Sequence, residues 1–147
     1  KEYFGLDEES PYMLFTHKID ESYRSKNSED KSNVFKSAND RVKELRSTVP
    51  AITHLDYSCR VQTVSKERNE RFYNLIEKFN EITGCPILIN TSFNIRGEPI
   101  VCSPDDALRC FANTNIDILV LEKFILSRSD QKENWTKKFP KILTIKD

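Results

Sequence analysis

With 147 residues and 17.2 kDa, the chain is long enough for one domain and too short for two ordinary ones. Its 23 basic and 23 acidic residues cancel, so no net charge marks it for nucleic acid or an anionic membrane surface. Three glycines (Gly5, Gly84, Gly97) cannot build a Gly-rich phosphate loop, and two histidines (His17, His54) leave a histidine metal site short of ligands.

The apolar residues, 37% of the chain, concentrate in its second half, where a core can form. Cys59, Cys85, Cys102 and Cys110 contain no C-x-x-C pair. They read as reduced, small core residues of a cytoplasmic protein. No signal peptide and no apolar run of membrane-spanning length is present. The start at Lys1, with Met13 the sole methionine, reads as a leader removed by processing or, the favoured expectation, as a piece of a longer polypeptide.

In chain order, Tyr12 to Thr16 is expected as a strand introduced by Ser10-Pro11. Residues 20 to 40 lose all periodicity and carry five serines among mixed charges, which predicts a solvated, mobile loop. That loop connects the first strand to the strand preceding Arg60, so it is a candidate lid there. A helical turn is expected near Asn39 to Leu45, then strands Ala51–Leu55 and Arg60–Val64, separated by a turn at Asp56-Tyr57-Ser58.

Phe72, Leu75, Ile76, Phe79 and Ile82 recur at helical spacing, predicting a helix with one buried stripe. Gly84 supplies its left-handed stop, Pro86 prevents resumption, and Pro86–Ile89 reads as a buried strand. Ser103-Pro104-Asp105-Asp106 announces a second helix: a capping hydroxyl, proline at the first position, then acids against the dipole. Ile116–Leu121 and Phe124–Leu126 complete the core as strands. Trp135 and Phe139 are the anchors of a polar tail, residues 129–147. Helices alternating with apolar strands give an α/β class, with α+β as the variant.

Chemistry concentrates in a few places. Asn90-Thr91-Ser92-Phe93-Asn94 follows a buried strand directly, at the edge where open α/β sheets bind ligands. Its amides, hydroxyls and backbone N–H groups suit a phosphate or a small amide-like group, or they simply make a turn. Arg60 opens an apolar strand, placed to grip a phosphate with two bonds or to pair with Asp56. Arg96, beside Gly97, reads first as an exposed loop residue that could add charge to the same pocket. His54 and Asp56 share a strand face, as an acid–base pair or as support for the turn. No residue is marked as a nucleophile, and no catalytic residue is assigned.

Together these segments resemble the C-terminal domain of the O-carbamoyltransferases, the nodulation-factor, cephamycin and tobramycin carbamoylating enzymes. The resemblance rests on His54-Leu55-Asp56, Arg60-Val61-Gln62-Thr63-Val64, Asn90-Thr91-Ser92-Phe93-Asn94 and Gly97-Glu98-Pro99-Ile100-Val101. Ser10–Met13, Pro104–Ala107 and Asp117–Leu121 extend it, so that it covers about residues 3 to 128 outside the serine-rich loop. It implies a partial YrdC-like mixed sheet packed with two main helices, in a domain of residues 1–128 with a loop-rich insertion at 20–48 and the tail beyond.

It also implies a function. In that family the YrdC-like domain joins ATP and carbamoyl phosphate into carbamoyl adenylate, and a Kae1-like domain passes the carbamoyl group to a substrate hydroxyl. By this resemblance Arg60, Asn90 and Ser92 contact nucleotide or carbamoyl phosphate, with Thr91, Asn94, Arg96 and His54 beside them. ATP and carbamoyl phosphate are the expected co-substrates, and no metal is expected within the chain. The expected partner is the Kae1-like domain or a second chain.

Two departures bear on this. Tyr57 and Cys59 stand where the family usually has glycine and alanine, which reshapes the approach to Arg60. Further arginine and lysine contacts of the family come from upstream of Tyr3, so the chain alone is expected to bind nucleotide poorly. A truncated sheet of this kind leaves an edge for a partner chain. The rival expectation is therefore a non-catalytic remnant or partner-binding module. A tRNA-binding role, as in tRNA-modifying YrdC proteins, is disfavoured by the zero net charge.

Overall fold

Two hydrophobic clusters organise the chain, one around Ile19 and Cys59 and the other around Phe111. The computed structural model describes residues 2–25, 37–132 and 134–140. Its contacts divide into two units, Lys1–Ile89 and Asn90–Asp147.

In the first unit, β1 (Thr16–Lys18) pairs antiparallel with β2 (Ser58–Arg60), Thr16 opposite Arg60 and His17 opposite Cys59. The strand expected at Tyr12–Thr16 is displaced, because Met13 takes a left-handed backbone (φ 57°) that breaks the extended run. Side chains tie that run down instead. Ser10 Oγ donates to the Val61 carbonyl (2.9 Å), and Gln62 Nε2 to that of Pro11 (2.9 Å).

The strand expected at Ala51–Leu55 is replaced by a 3₁₀ turn, Pro50–Ile52, with proline setting φ at its first position. Ile19 and Cys59 are fully buried, with Leu6 and Val61 beside them. Full burial of one such aliphatic side chain contributes about 1.5–3 kcal/mol.

The loop expected from residue 20 is anchored at its start. Tyr23 stacks on Tyr3 (4.1 Å) and packs against the Ile19 cluster. Ser25 N donates to Arg46 O (2.7 Å) and Thr48 N to Tyr23 O (3.0 Å), closing a neck. The expected helical turn is α1 (Ala38–Lys43), capped by Ser37 Oγ on Asp40 N. Residues 26–36, with the serine-rich stretch and the expected lid, lie outside the described residues.

The helix α2 (Glu70–Thr83) starts at Asn69, whose Oδ1 accepts from Phe72 N (3.1 Å), and stops at Gly84 (φ 72°). Its ends obey the sequence; its stripe does not. No α2 residue is buried, and Leu75 and Ile82 are 56% and 75% exposed. The helix flanks an open cavity of about 390 Å³, which Tyr73 and Ile76 line together with Val61 and Pro86, so its apolar face is not seated on a packed layer. The Pro86–Ile89 segment that follows, expected as a buried strand, forms no regular element and has no strand partner among the described residues.

In the second unit, α3 (Pro104–Ala112) begins as its sequence dictates: Ser103 Oγ accepts from Asp106 N, Pro104 takes the first position, and two acids face the dipole. Strands β3 (Ile118–Leu121) and β4 (Phe124–Ser127) form an antiparallel hairpin. Leu119 turns inward onto Ala107 and Phe111, while Ile118 and Val120 face out. The tail is anchored as expected, Trp135 lying 5.5 Å from Phe111 and 5.9 Å from Phe139. The α/β class holds, with the sheet realised as two antiparallel strand pairs. Among the described residues, no helix is long and apolar enough to cross a membrane.

Candidate functional site

The candidate residues fall in both units: His54 and Arg60 in the first, Asn90, Thr91, Ser92, Asn94 and Arg96 in the second.

Arg60 ends β2 with its guanidinium exposed. Nε and Nη2 both donate to the Met13 carbonyl, at 3.3 and 3.0 Å. Two of the five N–H groups of an arginine are thereby engaged and the other three stay available. Asp56 is not its partner. That carboxylate takes Lys18 Nζ (3.1 Å) and the backbone N–H of Ser58 (3.1 Å).

His54 and Asp56 meet through Ser58, a residue the sequence reading used only as part of a turn. Ser58 Oγ donates to Asp56 Oδ1 (2.6 Å) and lies 2.9 Å from His54 Nδ1. The hydroxyl has one proton and gives it to the carboxylate, so Nδ1–H is the donor toward Ser58. A serine bonded this way is a turn fastener rather than an activated nucleophile. Chiefly through the Ser58 hydroxyl, the network holds the Asp56 carboxyl well below the usual carboxylate range. The Asp-x-Ser spacing of an Asx turn is the sequence signal that points to Ser58.

Tyr57, at the apex, has φ 62°. A left-handed position favours glycine, which accounts physically for the glycine usual there in the resembling family. Its ring carries the Arg24 guanidinium 5.1 Å from its centroid.

In the second unit, the side chains of residues 90–92 are exposed. Among the described residues the hydroxyls of Thr91 and Ser92 have no hydrogen-bond partner, and Arg96 has no acidic partner. Asn94 is used internally. Its Nδ2 donates to the carbonyls of Glu98 (2.9 Å) and Ile95 (3.2 Å), closing the turn that contains Gly97 (φ 88°). Val101 N donates to Phe93 O (2.9 Å), so the loop base is fixed while Thr91, Ser92 and Arg96 present polar groups to solvent. Two free hydroxyls and a guanidinium on a fastened loop suit an anionic or amide-like ligand.

The cysteines are free thiols. Burial pushes Cys59 up to about 11 and raises Cys110 as well, so neither is a thiolate nucleophile near neutrality. Cys102 departs from the expected core role, being exposed with its Sγ 3.5 Å from Asp106 Oδ2. Among the described residues no group of three or more His, Cys, Asp or Glu is placed to hold a metal.

Arg128, which the sequence reading passed over, is the hub of the second unit. Its Nε donates to Ile116 O (2.7 Å), its Nη2 to Thr114 O (2.7 Å) and also to Phe111 O. The guanidinium lies 4.7 Å from the Phe111 ring centroid. It thus satisfies carbonyls at and just beyond the C-terminal end of α3, where a cation is favoured.

Comparison with known proteins places these motifs. The family described as carbamoyltransferase C-terminus matches residues 1–128. An uncharacterized protein of Synechocystis is 44% identical over 143 residues, covering 94% of this chain and 23% of that protein. Nodulation protein NolO of Bradyrhizobium diazoefficiens is 42% identical over 98 residues (65% of this chain, 18% of that protein). Nodulation protein NolNO of Sinorhizobium fredii is 41% identical over 93 residues (63% and 14%). The chain spans less than a quarter of the length of each of these relatives. On a match that runs from its first residue through β4, the chain belongs to the carbamoyltransferase C-terminus family.

Proposed function

We propose that this chain is the C-terminal portion of an ATP-dependent O-carbamoyltransferase and contributes part of the pocket for carbamoyl adenylate formation: carbamoyl phosphate and water give carbamate and inorganic phosphate, and a carbamate oxygen attacks the α-phosphorus of ATP, releasing pyrophosphate. The carbamoyl group then passes to a substrate hydroxyl on a Kae1-like domain. The family match over residues 1–128 carries the reading. The unengaged hydroxyl of Ser92, with Thr91 and Arg96 on the same loop, and the available guanidinium donors of Arg60 support it. A guanidinium matches phosphate oxygens, and hydroxyl and amide groups fix a small planar carbamoyl group. Their contribution is positioning and charge stabilisation rather than covalent chemistry.

The test uses the chain joined to the part of the Synechocystis relative that lies outside the match. A hydrogen bond to a charged group is worth about 1.5–3 kcal/mol, so Arg60→Ala and Ser92→Ala should each weaken ATP binding by about tenfold or more. Unchanged affinity in both variants would remove this pocket from the reading.

A second reading, a non-catalytic partner-binding module, is favoured by two observations: Arg60 already holds the Met13 carbonyl, and Asn94 is used within its own turn. Calorimetry on the chain alone separates the two. Clear binding of ATP or carbamoyl phosphate excludes a purely structural role.

A further inference from the structure

The segment Pro86–Ile89 is apolar and has no residue in the left-handed region, yet it belongs to no ladder. Among the described residues, the backbone N–H and C=O groups of Ile87, Leu88 and Ile89 take part in no hydrogen bond. Ile87 and Leu88 are half-buried, where unpaired peptide groups are costly. Ile87 and Ile89, two apart and so on one face, line a cavity of about 210 Å³ whose other walls include Phe79 and Ile52. Nearly every group around that cavity is apolar, so it excludes an anion or a sugar. Its unbroken Ile87-Leu88-Ile89 run is the sequence pattern of a strand rather than of a turn, here without neighbours.

We infer that Pro86–Ile89 is a receptor strand, which pairs through its backbone with an extended apolar segment from outside this chain. The added strand satisfies the peptide groups and places an apolar side chain in the cavity beside Ile87 and Ile89. The occupant is the carbamoyltransferase polypeptide outside the part that this chain matches. That part is more than three-quarters of the Synechocystis relative, which supplies ample length for such a strand. The inference goes beyond the nucleotide reading and survives its failure, because backbone pairing requires no bound nucleotide.

The experiment mixes the chain with the unmatched part of the Synechocystis relative, expressed as a separate polypeptide, and follows amide hydrogen exchange. The expected result is a complex in which the Ile87, Leu88 and Ile89 amides slow by at least about tenfold, the signature of new ladder bonds. Leu88→Pro, which removes one donor and fixes φ, abolishes the complex, whereas Leu88→Val leaves it intact. Failure to form a complex, or a complex without protection at those three amides, overturns the inference. So does sedimentation of the chain alone as a dimer with the same amides protected, which would make a second copy the occupant.

Discussion

Arg128→Ala tests whether one side chain fastens the second unit. The guanidinium makes three charge-assisted bonds to the carbonyls of Ile116, Phe111 and Thr114 and lies over the Phe111 ring. A bond of this kind is worth about 1.5–3 kcal/mol, and water entering a half-buried site restores roughly half of the sum. The stacking adds about 0.5–1 kcal/mol. The expected cost is about 3–4 kcal/mol, large for a single substitution. With a urea slope of about 1.5 kcal/mol/M, the unfolding midpoint should fall by about 2 M. Trp135 is the sole tryptophan and sits 5.5 Å from Phe111, so its fluorescence reports this unit directly. Arg128→Lys should lose most of the same stability, because an ammonium cannot span three carbonyls in the guanidinium plane. A midpoint shift below about 0.5 M for Arg128→Ala, at unchanged slope, would refute the hub.

Three further outcomes follow from the same geometry. In thiol titration at pH 8, Cys102 should react first, and Cys59 and Cys110 only on unfolding; early loss of the Cys59 thiol would contradict its burial. The Asp106 carboxyl is held down to about 2 by the Ser103 hydroxyl and then Arg109. A depressed carboxylate stabilises the fold above its unfolded value of 3.8 and loses that contribution as pH falls toward about 2, so wild type should lose more stability across that window than Asp106→Asn, as acid titration followed by circular dichroism would show. Tyr57→Gly should change stability by less than about 1 kcal/mol, because relief of the left-handed backbone offsets loss of the Arg24 stack; chemical denaturation would show a larger cost if the strain were absent.

What was legible in the sequence was local. Ser103-Pro104-Asp105-Asp106 and Gly84 fix helix ends through bonds made within one turn, and both appear where the sequence put them. The apolar run of β3 and β4 needs only a short turn to pair with itself. The first strand was misplaced because its position depends on a distant partner, β2, and on the left-handed Met13. The stripe of α2 announces an apolar face, but nothing in its periodicity says which polypeptide covers that face, and Leu75 and Ile82 stay exposed. Among the candidate site residues, the motif spacing singled out the 90–96 loop with its exposed Ser92 and Arg96. It did not show that Asn94 closes the turn or that Ser58 links His54 to Asp56, since both depend on side-chain direction.

The proposed activity is tested most directly by exchange of labelled pyrophosphate into ATP, measured with the chain joined to the unmatched part of the Synechocystis relative. Reversible formation of carbamoyl adenylate predicts exchange that requires carbamoyl phosphate and falls by about tenfold or more in both Arg60→Ala and Ser92→Ala. Exchange that proceeds equally well without carbamoyl phosphate, or at the wild-type rate in both variants, would contradict the assignment of this chain to the adenylate-forming pocket.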